Sequence, residues 1–344
     1  RDGRFVVTTD SAKSALVWDS ETGRLLTQIP TTEFVSDVAI HPNATAIVTA
    51  HRDNSARVWE VSTGRLIHRL GYSLLDNDSN LNQAAYSSKG DFVVTSGNDH
   101  HAILWDAAKG GAIRKFTHAK AVYHAEFSPD DSKILTSSAD KTAILWERAT
   151  GRKIHVFTHA EEVTAAHFNP TGTSIVSAGA DGNVKLWDTA NGNMLVLMPH
   201  PGAVTKAVFS TDGSRLLSAC NDKVARLWNV ASGSVLATFQ QPGKINSVAI
   251  SPDDTSIAIA GEDSMIRLYD WRIPHLVASS TSTFKFYQDI ADATAASEIS
   301  TSGNMRRLSF EELNATKAQV KSMGAKTIPE AQLWKTSRPD SLAE

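Results

Sequence analysis

Residues 158–188, from Thr158 to Asp188, read T-H-A-E-E-V-T-A-A-H-F-N-P-T-G-T-S-I-V-S-A-G-A-D-G-N-V-K-L-W-D. The parts of this stretch recur along most of the chain at nearly constant spacing. Trp146, Trp187 and Trp228 lie 41 residues apart, as do Trp18 and Trp59, and Trp105 and Trp146. One more step of 41 from Trp228 reaches Tyr269; only the step from Trp59 to Trp105 differs, at 46. A period of about 40 residues held over this length means stacked copies of one supersecondary unit.

Within a unit, four short strands are expected. Ile134–Ser137 and Ile144–Trp146 are β-branched or aromatic runs bounded by turn residues. Before them, Val122, Ala125 and Phe127 are spaced by three and then two, as are Val163, Ala166 and Phe168, and Val204, Ala207 and Phe209. A regular strand alternates by two, so the odd step predicts a bulge at the same place in each copy. The fourth strand is Lys153–Phe157. Pro129-Asp130, Pro170-Thr171-Gly172 and Pro252-Asp253 mark the turn after the first strand. A glycine stands five residues after each tryptophan, at Gly23, Gly64, Gly110, Gly151, Gly192 and Gly233, where a tight hairpin would need positive φ. Pro274 takes that place in the last unit, so its outer strand is expected to be irregular.

The composition is that of an ordinary soluble globular protein of 344 residues, 41% hydrophobic and 21% charged. A net charge of −3 gives no general attraction for nucleic acid or for an anionic membrane. No apolar run is long enough to span a bilayer, and R-D-G-R-F at the start is not a signal peptide. The single cysteine, Cys220, sits in an apolar strand pattern, where a buried, inert thiol is expected. A cytoplasmic location is the expectation.

These copies resemble those of the WD-repeat β-propeller family. Trp18-Asp19, Trp105-Asp106 and Trp187-Asp188 carry its signature dipeptide, and Trp59-Glu60, Trp146-Glu147, Trp228-Asn229 and Tyr269-Asp270 are variants. The resemblance covers about residues 1–278 and implies an all-β, seven-bladed propeller of four-stranded antiparallel blades, assigned to residues 1–291. Blade one lacks its innermost strand. Either Phe284–Ile290, roughly in phase with the repeat, returns to fill that place, or residues upstream of Arg1 do. Residues 292–344 form a short, partly helical tail. Ala291–Gly303 reads as loop, and a capping box at Ser309 and Glu312 opens a helix over 310–323.

Three units hold the same four residues at the same offsets: His118, Thr136, Asp140 and Trp146; His159, Ser177, Asp181 and Trp187; His200, Ser218, Asp222 and Trp228. Alcohol, imidazole and carboxylate could be taken for a nucleophilic triad. An active site, however, does not recur in three consecutive units. The resemblance implies instead a structural hydrogen-bond chain from indole through hydroxyl and imidazole to carboxylate. Thr31, Asn77 and Gln241 replace the histidine elsewhere, Ala12 the aspartate of blade one, and Ile259 the hydroxyl of the last blade. Those blades are expected to be looser. No metal centre is expected, because His118, His159 and His200 belong to successive blades. Asp76–Asn80 has oxygens at alternate positions like the start of a calcium loop, but lacks the later Gly and Glu. No cofactor motif and no catalytic constellation is present.

In the resembled family partners dock on the face formed by loops leading into the inner strands. Carried over by position, that face holds Phe34, Arg52, Asn80, Tyr123, Glu162, Lys244 and Glu262, with Phe34 and Tyr123 as aromatic anchors. The implied function is a non-catalytic scaffold for other proteins or peptides, with neither nucleic acid nor membrane as partner. A sensor or regulatory propeller of a larger signalling protein is the alternative. An enzyme working in the central channel ranks last, to be revived by an inward cluster of convergent acids or histidines.

Overall fold

A computed structural model describes residues 5–9, 13–19, 22–71, 80–263, 265–270, 277–278, 297–299 and 305–307. The chain divides into two compact units, residues 1–279 with 285–292, and residues 280–284 with 293–344. The first unit holds seven antiparallel sheets, each built from consecutive strands, as a seven-bladed propeller requires. Blade 1 has three described strands, Phe5–Thr9, Ser14–Asp19 and Leu25–Pro30. Blades 2 to 7 have four each and begin with the inner strands Val35–Ile40, Leu81–Tyr86, Val122–Phe127, Val163–Phe168, Val204–Phe209 and Ile245–Ile250. The strand expected over 284–290 and the helix expected over 310–323 lie outside the described residues, as do Ala12 and residues 72–79, Asn77 among them. In the second unit Ser297–Ile299 pairs with Met305–Arg307, so a short strand begins inside a stretch whose composition read as loop.

The local expectations map onto backbone geometry. In every inner strand of blades 2 to 7 the register shifts after the first residue, from Val35/Asp37 to Ile245/Ser247, which is the bulge the spacing predicts. The six glycines after the tryptophans all have φ between +66° and +76°. Each closes its turn by donating its N–H to the carbonyl four residues back, as Gly151 does to Glu147 at 2.8 Å. The aspartate of the signature dipeptide caps this turn: Asp188 Oδ1 accepts the Asn191 N–H at 3.0 Å. The outer strand of blade 7 is described at Val277–Ala278.

The core lies between blades rather than within them. Six apolar clusters are present among the described residues, each built from the facing surfaces of two consecutive blades. Leu135, Leu145 and Phe157 of blade 4, for instance, meet Val163, Ile175 and Trp187 of blade 5. A blade is therefore buried on both faces, and its second and third strands are almost continuously buried rather than alternating. Outer strands are mostly exposed, with one buried anchor such as Phe157. The inner strands stand side by side around the central axis and present their free edges to it.

Candidate functional site

The repeated polar residues form buried links inside each blade. In blade 4 the Trp146 indole donates to Thr136 Oγ1 at 2.8 Å, that hydroxyl meets His118 Nε2 at 2.7 Å, and His118 Nδ1 meets Asp140 Oδ2 at 2.8 Å. In blade 5 Trp187, Ser177, His159 and Asp181 repeat it at 2.8, 2.7 and 3.0 Å. Each aspartate also accepts the N–H of the residue after the histidine, Ala119 or Ala160. Burial holds both imidazoles below their ordinary range despite the neighbouring carboxylates, so they are neutral at pH 7. Each hydroxyl accepts the indole N–H and is closed to solvent. These groups join strands.

The third set does not close. Trp228 reaches Ser218 at 2.8 Å and Ser218 reaches His200 Nε2 at 2.7 Å, but His200 Nδ1 turns to the Met198 carbonyl at 3.0 Å. Asp222 is instead paired with Arg226, at 2.5 Å. The cause is legible in two residues. Pro201 follows His200 and has no N–H to steady the carboxylate, and Arg226 stands four residues on with a guanidinium that does. The same aspartate–arginine pair occurs at Asp53–Arg57 and Asp263–Arg267.

Blade 2 contains a substitution that position counting missed. With Thr31 in the histidine position, His51 supplies the imidazole from the end of the second strand: Trp59 donates to Thr49 at 2.8 Å, and Thr49 meets His51 Nε2 at 2.7 Å. The equivalent residue in blade 5 is Gly179, where an added Cβ would sit 2.3 Å from His159. Imidazole in one position thus requires a small residue in the other. In blade 7, Gln241 reaches the Tyr269 hydroxyl directly at 2.9 Å, which removes the need for the hydroxyl that Ile259 lacks.

The seven residues expected on the docking face fall at three repeated positions: Phe34, Asn80, Glu162 and Lys244 just before an inner strand, Arg52 and Glu262 in the turn after the second strand, and Tyr123 second in its inner strand. The residue before each inner strand accepts, through its carbonyl, an N–H from the turn beyond the second strand. Arg52 donates to Phe34 at 3.2 Å, Asn98 to Asn80 at 2.9 Å, Ala180 to Glu162 at 2.8 Å and Glu262 to Lys244 at 2.9 Å. Phe34 is 43% exposed, with the Lys13 ammonium 5.2 Å and the Arg52 guanidinium 5.5 Å from its ring centre. Lys244 and Glu262 pair with each other at 3.8 Å. Tyr123 differs from its expected role: it is half-buried and donates its hydroxyl to Glu162 at 2.7 Å, bridging blades 4 and 5. Burial first, then that carboxylate, pushes the phenol up to about 12. Its equivalents Asn82, Thr164 and Thr205 likewise bond to the next blade's backbone.

A second set of residues, not anticipated from spacing, converges on the axis. Asp37, Gln83, His124, Lys206 and Ser247 hold the same inner-strand position in blades 2, 3, 4, 6 and 7, and Ala165 holds it in blade 5. Several cap amides on a neighbouring strand's free edge: Asp37 accepts the Ala84 N–H at 3.2 Å, and Gln83 that of Ala125 at 2.7 Å. Two residues further along, Glu126 accepts the Phe168 N–H at 2.6 Å and meets His167 Nδ1 at 2.9 Å. Glu126 and His167 line one mouth of the channel, a cavity of 740 Å³ that also touches Gln83, Phe127 and Phe209. The signal in the sequence is a same-face pair, His124 and Glu126, followed 41 residues after the glutamate by another histidine.

Residues 80–319 match the family model described as IFT122 first beta-propeller, and residues 23–60 match that described as WD domain, G-beta repeat. No curated protein matches the chain.

Proposed function

This chain belongs to the IFT122 first β-propeller family, and on that premise we propose that it is a non-catalytic scaffold presenting one loop-lined propeller face to partner proteins or peptides. WD40 propellers are generally protein-interaction scaffolds of this kind. The observation that carries the reading is the equivalence of the loops: one backbone hydrogen bond, repeated around the ring, sets Phe34, Asn80, Glu162 and Lys244 on the same rim. Phe34, exposed between two cations, is the aromatic anchor of this face, a role that Tyr123 loses to its inter-blade bond. The rim carries both signs of charge, which suits a protein partner better than a polyanion.

The test is capture of partners on immobilised protein with Phe34→Ala and Arg52→Ala, singly and together. Recovery should fall by about tenfold for a residue at an interface centre, while the thermal midpoint stays within about 2 °C because both side chains lie at the surface. Undiminished capture removes this face from the reading. The word "first" in the family description supports a second reading, in which the propeller is one domain of a longer signalling chain. The mass of the endogenous protein on an immunoblot distinguishes the two.

A further inference from the structure

His124 and Glu126 lie two residues apart on the inner strand of blade 4, and His167 projects from the inner strand of blade 5 beside them. One ligand atom from each lies within 4.8 Å of the others. Glu126 Oε2 is 2.9 Å from His167 Nδ1 and 3.9 Å from His124 Nε2, and the two imidazoles meet edge to face at 4.4 Å between centroids. The second carboxylate oxygen is held by the Phe168 amide, which fixes the orientation of the first.

A simple hydrogen bond explains Glu126 and His167 but leaves His124 unexplained. Among the described residues neither ring nitrogen of His124 makes a hydrogen bond, and its Nδ1 is sealed from solvent, as is His167 Nε2. A sheltered imidazole without partners costs free energy, and most proteins supply it with one. Two imidazoles and one carboxylate are the donor set that holds zinc with one position open. Calcium and magnesium prefer all-oxygen ligation.

We infer that His124, Glu126 and His167 form a site for one divalent first-row cation of the zinc type, with the fourth position available to a water or a donor entering from the channel. Bonds near 2.1 Å in a tetrahedron set ligand atoms about 3.4 Å apart. The observed 2.9 and 3.9 Å straddle that spacing, so small side-chain rotations complete the site. The opposing group is the Lys206 ammonium, which bears on His124 and bonds Ser247 Oγ at 3.3 Å. Asp37 counters it across the ring, and burial lowers the lysine's own pKa. Lys206 thus weakens the site without filling it.

The experiment is titration of the chelator-treated chain with Co²⁺, read by the visible bands of tetrahedral cobalt, and competition by Zn²⁺ in calorimetry. One equivalent per chain is expected. His124→Gln, His167→Gln and Glu126→Gln should each weaken binding by at least about tenfold. His100→Ala, an exposed histidine in another blade, should leave it unchanged, and Lys206→Met should tighten it. Circular dichroism of each variant separates lost binding from lost folding. Absence of tetrahedral cobalt bands at one equivalent overturns the inference. So does undiminished affinity in any folded double variant of the three ligands.

Discussion

His159 and His200 hold the same place in the repeat yet sit in different circuits. His159 links Ser177 to Asp181, so its loss strands both partners in a buried setting. His200 links Ser218 only to a backbone carbonyl, because Arg226 has taken Asp222. His159→Ala should cost about 1–3 kcal/mol, the range for leaving buried groups unpaired, and His200→Ala measurably less; chemical denaturation of the two variants decides. The imidazoles also set an acid limb. Burial is the main cause that lowers His51 and His200 to about 4 from 6.5, and His118 and His159 shift the same way. A folded-state pKa below the unfolded one means the unfolded chain binds more protons between these values. Stability is therefore full above pH 6.5 and falls as pH drops through that window toward 4. His200→Gln and His51→Gln together should flatten the slope of unfolding free energy against pH between those limits. An unchanged slope would show that these rings are not neutral in the fold.

At the scale of the strand and its turns, two backbone devices recur. One is the glycine after each signature dipeptide. Gly192 has φ of +76°, and an added Cβ would lie 2.7 Å from His155 Nδ1. Gly192→Ala should cost about 1–2 kcal/mol from the left-handed backbone alone, whereas Gly111, which has open space around it, should tolerate alanine far better. Thermal melts of the two variants compare them directly. The other device is the inner-strand bulge and the free edge beside it. Edge amides need partners, and the preceding blade supplies them through Asp37, Gln83 and Glu126. Polar residues in the channel are thus first explained by edge capping. His124 caps nothing and, unlike Lys206 and Ser247, which bond to each other, makes no hydrogen bond among the described residues; the cation site rests on it.

The propeller as a whole is a chain of nearest-neighbour interfaces. Each described core joins two consecutive blades, so energetic coupling should follow blade adjacency. Ile47→Val lies in the core of blades 1 and 2, and Ile175→Val in that of blades 4 and 5. Their effects on unfolding free energy should add to within about 0.5 kcal/mol. Leu145→Ala shares the core of Ile175, and that pair should show an interaction energy of about 0.5 kcal/mol or more. Additivity in the second pair would mean that the shared core does not respond as one packed unit.

The period of the tryptophans, the glycines five residues on and the odd step in the inner strands were enough to determine a ring of bulged, four-stranded sheets. Each is a constraint local to one strand or turn, repeated until it is unmistakable. The equivalence of Phe34, Asn80, Glu162 and Lys244 before their inner strands was likewise legible by phase. What lay beyond reading were side-chain contacts: within a blade, His51 standing in for a missing histidine and Arg226 diverting Asp222 from His200; between blades, Tyr123 spending its hydroxyl on Glu162 and His167 meeting His124 and Glu126. Repetition reports what one blade does for itself. Which side chains meet across an interface depends on the distance and direction between blades, and only the closed packing of neighbouring sheets decides that.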